Sequence, residues 1–184
     1  MINDSTVSLS RDRRLTVVGV VGFAVAVAAA SQVAIPIPGT AVPMTLQPLA
    51  VVLAGLWLGP RAGAASMILY LAAGAAGLPV FTPIGAPGFL RLLGPTGGYL
   101  LAYPLSAFAA GTVARRFPAF GGRVAAAALG MAITHLGGIV QLTILTGSVT
   151  SAVIMGSLPF LGMDLVKSIL AGALSRGRMD DARA

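Results

Sequence analysis

From residue 15 to residue 174 the chain is a succession of apolar runs, with nearly all of its charge confined to the joints between them. A membrane-spanning helix needs about 20 largely apolar residues, and six stretches meet or approach that length: 15–35, 46–58, 62–80, 98–114, 124–145 and a last one beginning near Ser157. Their ends carry reasons to stop. Pro36 and Pro38 forbid continuation of the first run, Gly59 and Pro60 break the second from the third, and Pro79 and Pro83 close the third. Arg115 and Arg116 terminate the fourth, Arg123 opens the fifth, and a polar turn through Thr146 and Ser148 ends it. Such a chain cannot coat a water-facing surface: 9% of its residues are charged, against about 25% in an ordinary soluble domain. The expected architecture is an all-α integral membrane bundle of six transmembrane helices, embedded in the lipid bilayer as one domain over 1–184.

Orientation follows from the loops, because short loops rich in Lys and Arg stay on the cytoplasmic side. In a six-span arrangement Arg11, Arg13, Arg14, Arg61, Arg115, Arg116, Arg123, Arg176, Arg178 and Arg183 fall on one side, and of the loop cations only Arg91 falls on the other. Both termini are therefore expected in the cytoplasm, with 1–14 as an N-terminal segment and 176–184 as a tail, and an even number of spans follows. The formal net charge of +7 thus marks topology. A nucleic-acid partner is not implied, since that function gathers basic residues on one solvated face, often beside aromatics. The basic head, the first apolar run and Ala28-Ala29-Ala30-Ser31 imitate a cleavable signal peptide, but apolar character continues past that point to Ile37, which favours a first span.

Two charges break the pattern. Asp164 and Lys167 lie inside the apolar run 158–174, where a charged residue costs about 2.5 to 3.5 kcal/mol at mid-span and normally faces a cavity or a partner. Three residues apart, they share one helical face, which Ser168, Ala171 and Ser175 continue as a stripe of small or polar side chains. At about 1.5 Å rise per residue, Asp164 lies about 7 Å beyond Pro159, in the outer half of the bilayer. A carboxylate only accepts hydrogen bonds and an ammonium only donates them, so the pair suits a small molecule bearing N–H groups, a carbonyl and a carboxylate. An internal salt bridge that pins the helix is the alternative. A second stripe, Thr134, Gly138 and Gln141, runs along the fifth span and is expected to line the same cavity. His135 stands beside it; as the only histidine in a chain with no cysteine, it builds no multi-ligand metal site and reads best as a hydrogen bond between helices. The segment 81–99 carries Arg91 and Gly94-Pro-Thr-Gly-Gly-Tyr99, rich in turn formers, and is expected to cover a pocket. Phosphate-loop, zinc-helix and nucleophile-elbow patterns are missing, so neither catalytic residues nor a cofactor are expected, and any ATP hydrolysis belongs to another polypeptide.

Five ordered motifs carry a resemblance: Val42-Pro-Met-Thr-Leu-Gln47, Leu58-Gly-Pro-Arg61, Gly77-Leu-Pro-Val-Phe81, Leu93-Gly-Pro-Thr-Gly-Gly-Tyr99, and Leu158-Pro-Phe-Leu161 followed by Asp164 and Lys167. Over most of its length the chain resembles the BioY family, biotin-specific S-components of energy-coupling factor transporters. The resemblance implies biotin capture at the outer side of a bacterial cell membrane, with a transmembrane T-component and two ATPase subunits as partners. It implies Asp164 for the ureido N–H groups and Lys167 or Arg91 for the ligand carboxylate, Lys167 also being within reach of the ureido oxygen. Thr45, Gln47, Thr96 and Tyr99 follow as pocket members from their places in the motifs. In such proteins the first helix docks on the T-component through Ala-x-x-x-Ala spacing, which Ala24 with Ala28 and Ala26 with Ala30 match; close packing inside the bundle is the other use of that spacing. The chain departs from the family pattern at Gly162 and Met163, where Pro-Gly is usual, and in the loop 82–88. A self-sufficient secondary transporter and a structural subunit that binds nothing remain as other classes, and a homo-oligomer is compatible with each.

Overall fold

A computed structural model describes the backbone over residues 4–176 and the side chains from Arg13 onward; the tail expected beyond Arg176 and the head before residue 4 lie outside the described residues. Most of the described chain is helical. Helix α1 (Asp4–Gln32) is followed by α2 (Gln47–Leu58), α3 (Pro60–Ala75), the single turn α4 (Leu90–Leu93), α5 (Gly97–Arg116), α6 (Phe120–Thr146), α7 (Val149–Gly156) and α8 (Leu161–Leu174). Three helical stretches are long and apolar enough to cross a membrane: Arg13–Gln32, Phe120–Thr146 and the composite Val149–Leu174.

Besides the third run, read to Val80, whose helix ends at Ala75, the structure departs from the sequence expectation at two places. The first apolar run does not stay helical to residue 35. Beyond Gln32 the chain extends, and strand β1 (Ala34–Ile35) pairs antiparallel with β2 (Met44–Thr45) in the register Ala34↔Thr45 and Ile35↔Met44. Pro36 and Pro38 cannot donate to a helix or a ladder, so they sit in the connection, which reverses through Gly39 at φ 83°. The second departure is in the last span, whose helix was expected to begin near Ser157. It begins at Val149, capped by the Ser148 side chain accepting from the Ser151 N–H at 3.2 Å, and breaks into a 3-10 turn over Leu158–Phe160 before α8 resumes. Pro159 in that turn brings no N–H, and the break leaves Asp164 in the first turn of α8.

Buried serines and glycines share the interior with Met67, Tyr70, Tyr103 and other large side chains, and the exterior is also made of large apolar ones. Ser66, Ser106 and Ser175 are 0% exposed, while Ile144 is 74% and Val18 69% exposed. An ordinary water-soluble domain does not expose large apolar side chains so extensively, so the medium around these helices is apolar. In lipid the packing of helices rests on close backbone approach through small residues. Helices α5 and α6 meet where Gly98 faces Gly137: a Cβ on Gly98 would overlap the Gly137 carbonyl, and one on Gly137 would sit 2.5 Å from the Gly98 carbonyl oxygen. Helices α2 and α5 meet in the same way at Gly55 and Gly111, where a Cβ on Gly111 would lie 2.7 Å from the Gly55 oxygen.

Gly98→Leu drives a side chain into the α6 backbone and is expected to abolish a monodisperse size-exclusion peak in detergent. Gly22→Ala, where nothing lies within 4 Å of the added carbon, is expected to leave that peak intact and thermal stability within about 1 kcal/mol of the parent.

Candidate functional site

The helix break gives the last span a new start inside the bundle, and the first turn of α8 delivers Asp164 to its centre. A carboxylate that is 7% exposed in an apolar medium must be surrounded by donors, and Asp164 finds them on two helices. Its Oδ1 accepts from Lys167 Nζ at 2.9 Å, one turn along α8, and its Oδ2 lies 2.6 Å from His135 Nε2 on α6. The Ser168 hydroxyl donates to the Asp164 main-chain oxygen at 2.7 Å, which anchors the same turn from below. Lys167 is 3% exposed, so the pair is closed off from lipid, as its helical face requires.

Asp164, Lys167 and His135 form one wall of a cavity whose empty space, open mouth included, is about 630 Å³. Helix α5 supplies Tyr99 and Tyr103, α6 supplies Met131 and Thr134, and the turn before α8 supplies Phe160, all of them lining residues. Tyr99 is fixed by a 2.5 Å bond from its hydroxyl to the Gly156 carbonyl at the end of α7, and Thr134 by its hydroxyl contact with Ser106 at 2.7 Å. The His135 ring stands edge-on to Tyr99 and tilted against Phe160, each 6.1 Å between centroids. At the α2 end, Gln47 donates to the Tyr70 hydroxyl at 2.6 Å, and its Oε1 accepts from Thr45 Oγ1 at 3.2 Å. Charge thus collects at one wall, aromatic faces flank it, and half-buried Thr45 and Thr96 add hydroxyls. Such a cavity can orient a ligand that is polar at its ends and apolar between them; it holds no paired acids for hydrolysis.

Of the candidates read from the sequence, Asp164, Lys167, Gln47, Thr45, Thr96 and Tyr99 line this one cavity, whereas Arg91 and Gln141 do not. Arg91 is 5% exposed and donates through Nη2 to the Thr82 carbonyl at 2.6 Å and through Nη1 to the Ile84 carbonyl. Burial lowers its pKa from the ordinary arginine value, with the nearby Tyr70 hydroxyl opposing that shift. Gln141 donates to the Leu93 carbonyl at 3.1 Å and the Gly94 carbonyl at 3.3 Å. Both side chains therefore hold the segment that supplies Thr82 and Thr96 to the cavity wall. In the first helix Ala24 is buried and packs in the core with Val27 and Met67, and Ala28 packs against that cluster, while Ala26 is exposed and Ala30 half-buried.

Tyr103, Met131, Phe160 and Thr82 line the cavity without having been singled out from sequence. Met131 had a signal: with Thr134, His135 and Gly138 it follows the i, i+3, i+4, i+7 spacing of one helical face. The pairing of His135 with Asp164 had none, because it joins residues 29 apart in sequence across two helices. Gly138 serves a different purpose from lining, since a Cβ there would overlap the Tyr99 ring.

Comparison with known proteins places the chain in a family. The model of the BioY family matches residues 5–182. The biotin transporter BioY of Rhodobacter capsulatus is 34% identical over 180 residues, covering 90% of this chain and 92% of that protein. The biotin transporter BioY of Thermotoga maritima is 35% identical over 141 residues, 77% of this chain and 83% of its own. Among solved structures, the S-component for biotin from an ECF-type ABC transporter superimposes with a TM-score of 0.81 at 27% identity, over 96% of this chain and 93% of that one. With a family match over nearly its whole length and a fold shared with that S-component, the chain belongs to the BioY family.

Proposed function

We propose that the chain is the biotin-capturing S-component of an energy-coupling factor transporter in a bacterial cell membrane, and that the Asp164 cavity is its biotin site. The observation that carries the reading is the buried Asp164–Lys167 pair at 2.9 Å on the wall of the cavity that Thr45, Gln47, Tyr99 and Phe160 also line. Biotin's ureido ring presents N–H and C=O side by side, which the adjacent carboxylate and ammonium mirror. Asp164 accepts from the ureido N–H groups with lone pairs left over from its bonds to Lys167 and His135, and Lys167, with N–H groups beyond the one on Asp164, donates to the ureido oxygen. The aromatic flanks cover the apolar bicycle and the aliphatic tail. The carboxylate then lies among the hydroxyls of Thr45 and Thr96, with Arg91 one layer behind, bonded to the Thr82 carbonyl. His135 positions the Asp164 carboxylate and does not act as a metal ligand.

Transport completes the proposal. Six crossings, made by α1, α2, α3, α5, α6 and the pair α7–α8, agree with the arginine asymmetry and leave both termini in the cytoplasm. Helix α2, with 12 residues, is about 18 Å long, and the extended segment before it makes up the crossing; irregular backbone is tolerated at that depth where it lines a cavity, as Val42, Pro43 and Thr45 do. A T-component and ATPase subunits supply the energy, and the exposed Ala26 side of α1 is the surface free for the T-component. One observation favours a second reading: the broken last span with ionisable groups beside the break is also a device of self-sufficient secondary transporters, though those repeat it in both halves.

One biotin is expected to co-purify with the detergent-solubilised chain in native mass spectrometry; failure of saturating biotin to bind would overturn the assignment. Asp164→Asn keeps the volume and removes the charge, and is expected to weaken biotin binding by about 10- to 100-fold while the protein still inserts. Uptake that persists in cells lacking every coupling ATPase would favour the second reading. Because the chain has no cysteine, single substitutions report topology: Ala86→Cys is expected to react with an impermeant maleimide in intact cells, and Gly121→Cys only after permeabilisation.

A further inference from the structure

At the end of the bundle marked by its arginines, a second cleft of about 1,320 Å³, counted to its open mouth, lies between the end of α5, the start of α6 and the end of α8. Arg116, Arg123 and Arg176 line it together with Val113, Phe117 and Phe120. A cation at a helix C-terminus meets the negative end of the helix dipole, and that accounts for Arg116 in the last turn of α5. Arg123 sits in the first turn of α6, at the positive end, and is compensated by the last turn of α8, whose Gly172 carbonyl it meets. Arg123 is 3% exposed and held rigid, with Nε donating to the Gly172 carbonyl at 3.1 Å and Nη1 to the Pro118 carbonyl at 2.9 Å. Two of its five N–H groups are so used. Among the described residues no carboxylate pairs with any of the three arginines, since both ion pairs end on Asp164. Three guanidinium groups that line one cleft without a carboxylate partner among the described residues repel one another, and an anion between them relieves that repulsion.

We propose that this cleft binds one anionic phospholipid of the cytoplasmic leaflet, its phosphate on Arg116, Arg123 and Arg176 and its acyl chains along Phe117, Phe120 and Val113. The chemistry of the lining selects the occupant. Guanidinium groups grip phosphate oxygens through paired N–H bonds, and basic pockets between helices on the cytoplasmic side are suited to acidic headgroups. Phe117 and Phe120, 57% and 48% exposed, offer the apolar surface that a free phosphate would leave unused. The proposal needs the cytoplasmic placement of these loops and is independent of the biotin site.

The test uses the full chain in detergent with phosphatidylglycerol or phosphatidylcholine of the same acyl length, and native mass spectrometry to count retained lipids. One phosphatidylglycerol is expected to be retained, and no phosphatidylcholine. The double variant Arg116→Gln, Arg176→Gln changes two exposed side chains and is expected to weaken phosphatidylglycerol retention by about tenfold or more with biotin binding unchanged, whereas Arg61→Gln, outside the cleft, leaves retention as in the parent. Equal retention of the two lipids, or an equal loss with Arg61→Gln, would reduce the effect to diffuse surface charge and overturn the proposal. Displacement of the lipid by millimolar inorganic phosphate would also overturn it. So would retention that arises only after removal of residues 177–184, since the acids Asp180 and Asp181 of the chain's own tail would then be the occupant.

Discussion

A carboxylate in an apolar medium has to be surrounded by donors, and the way Asp164 meets that requirement organises the cavity end of this bundle. One donor comes from its own helix and the other from α6, so a single side chain ties the last span to its neighbour at 2.9 and 2.6 Å. The tie holds only if α8 begins where it does. The break over Leu158–Phe160 sets the helix start so that Asp164 falls in its first turn, where the positive end of the dipole favours an anion. The carbonyl at the end of α7 that the break leaves free is taken by Tyr99 from α5. Four helical elements thus converge on one interruption of the regular backbone.

The other wall of the cavity is organised from outside its lining. Arg91 and Gln141 spend their hydrogen bonds on main-chain carbonyls at 82, 84, 93 and 94, and between those points lies most of the irregular segment that joins α3 to α5. Loops with few regular hydrogen bonds open easily; these side chains supply the anchors that regular structure would otherwise provide. A positive charge beside a ligand cavity can therefore serve as scaffolding, and proximity in sequence to a motif does not decide between the two uses.

What sequence reveals here divides along the range of the interactions. Apolar runs, their proline and glycine ends and the isolation of Asp164 and Lys167 are local facts, and they marked the helices and the charged centre. The joint at Ser157 was harder to place because the eight residues of α7 are as apolar as the helix that follows, so composition offered no boundary between the polar turn at Thr146 and Pro159. The ribbon of β1 and β2 was hidden for another reason: Ala34, Ile35 and Met44 look like the ends of apolar runs, and only pairing across the turn makes them strands. The engagement of His135 with Asp164, and the withdrawal of Arg91 and Gln141 into the loop, are contacts between distant segments, which no spacing rule on a single helix contains.

The distribution of side-chain size has its own consequence for how the chain tolerates change. Ile144, Val18 and their neighbours on the outer surface touch acyl chains that have no fixed shape, so the medium asks of them only that they be apolar, and one branched side chain serves as well as another. The serines and glycines within have fixed neighbours at fixed distances, and several have no room for one more carbon. In a water-soluble domain the large apolar residues carry the detailed specification of the fold and small polar ones are cheap to exchange. Here the smallest residues share that task with buried Met67, Tyr70 and Tyr103, and a serine or glycine can be as hard to exchange as a large core side chain.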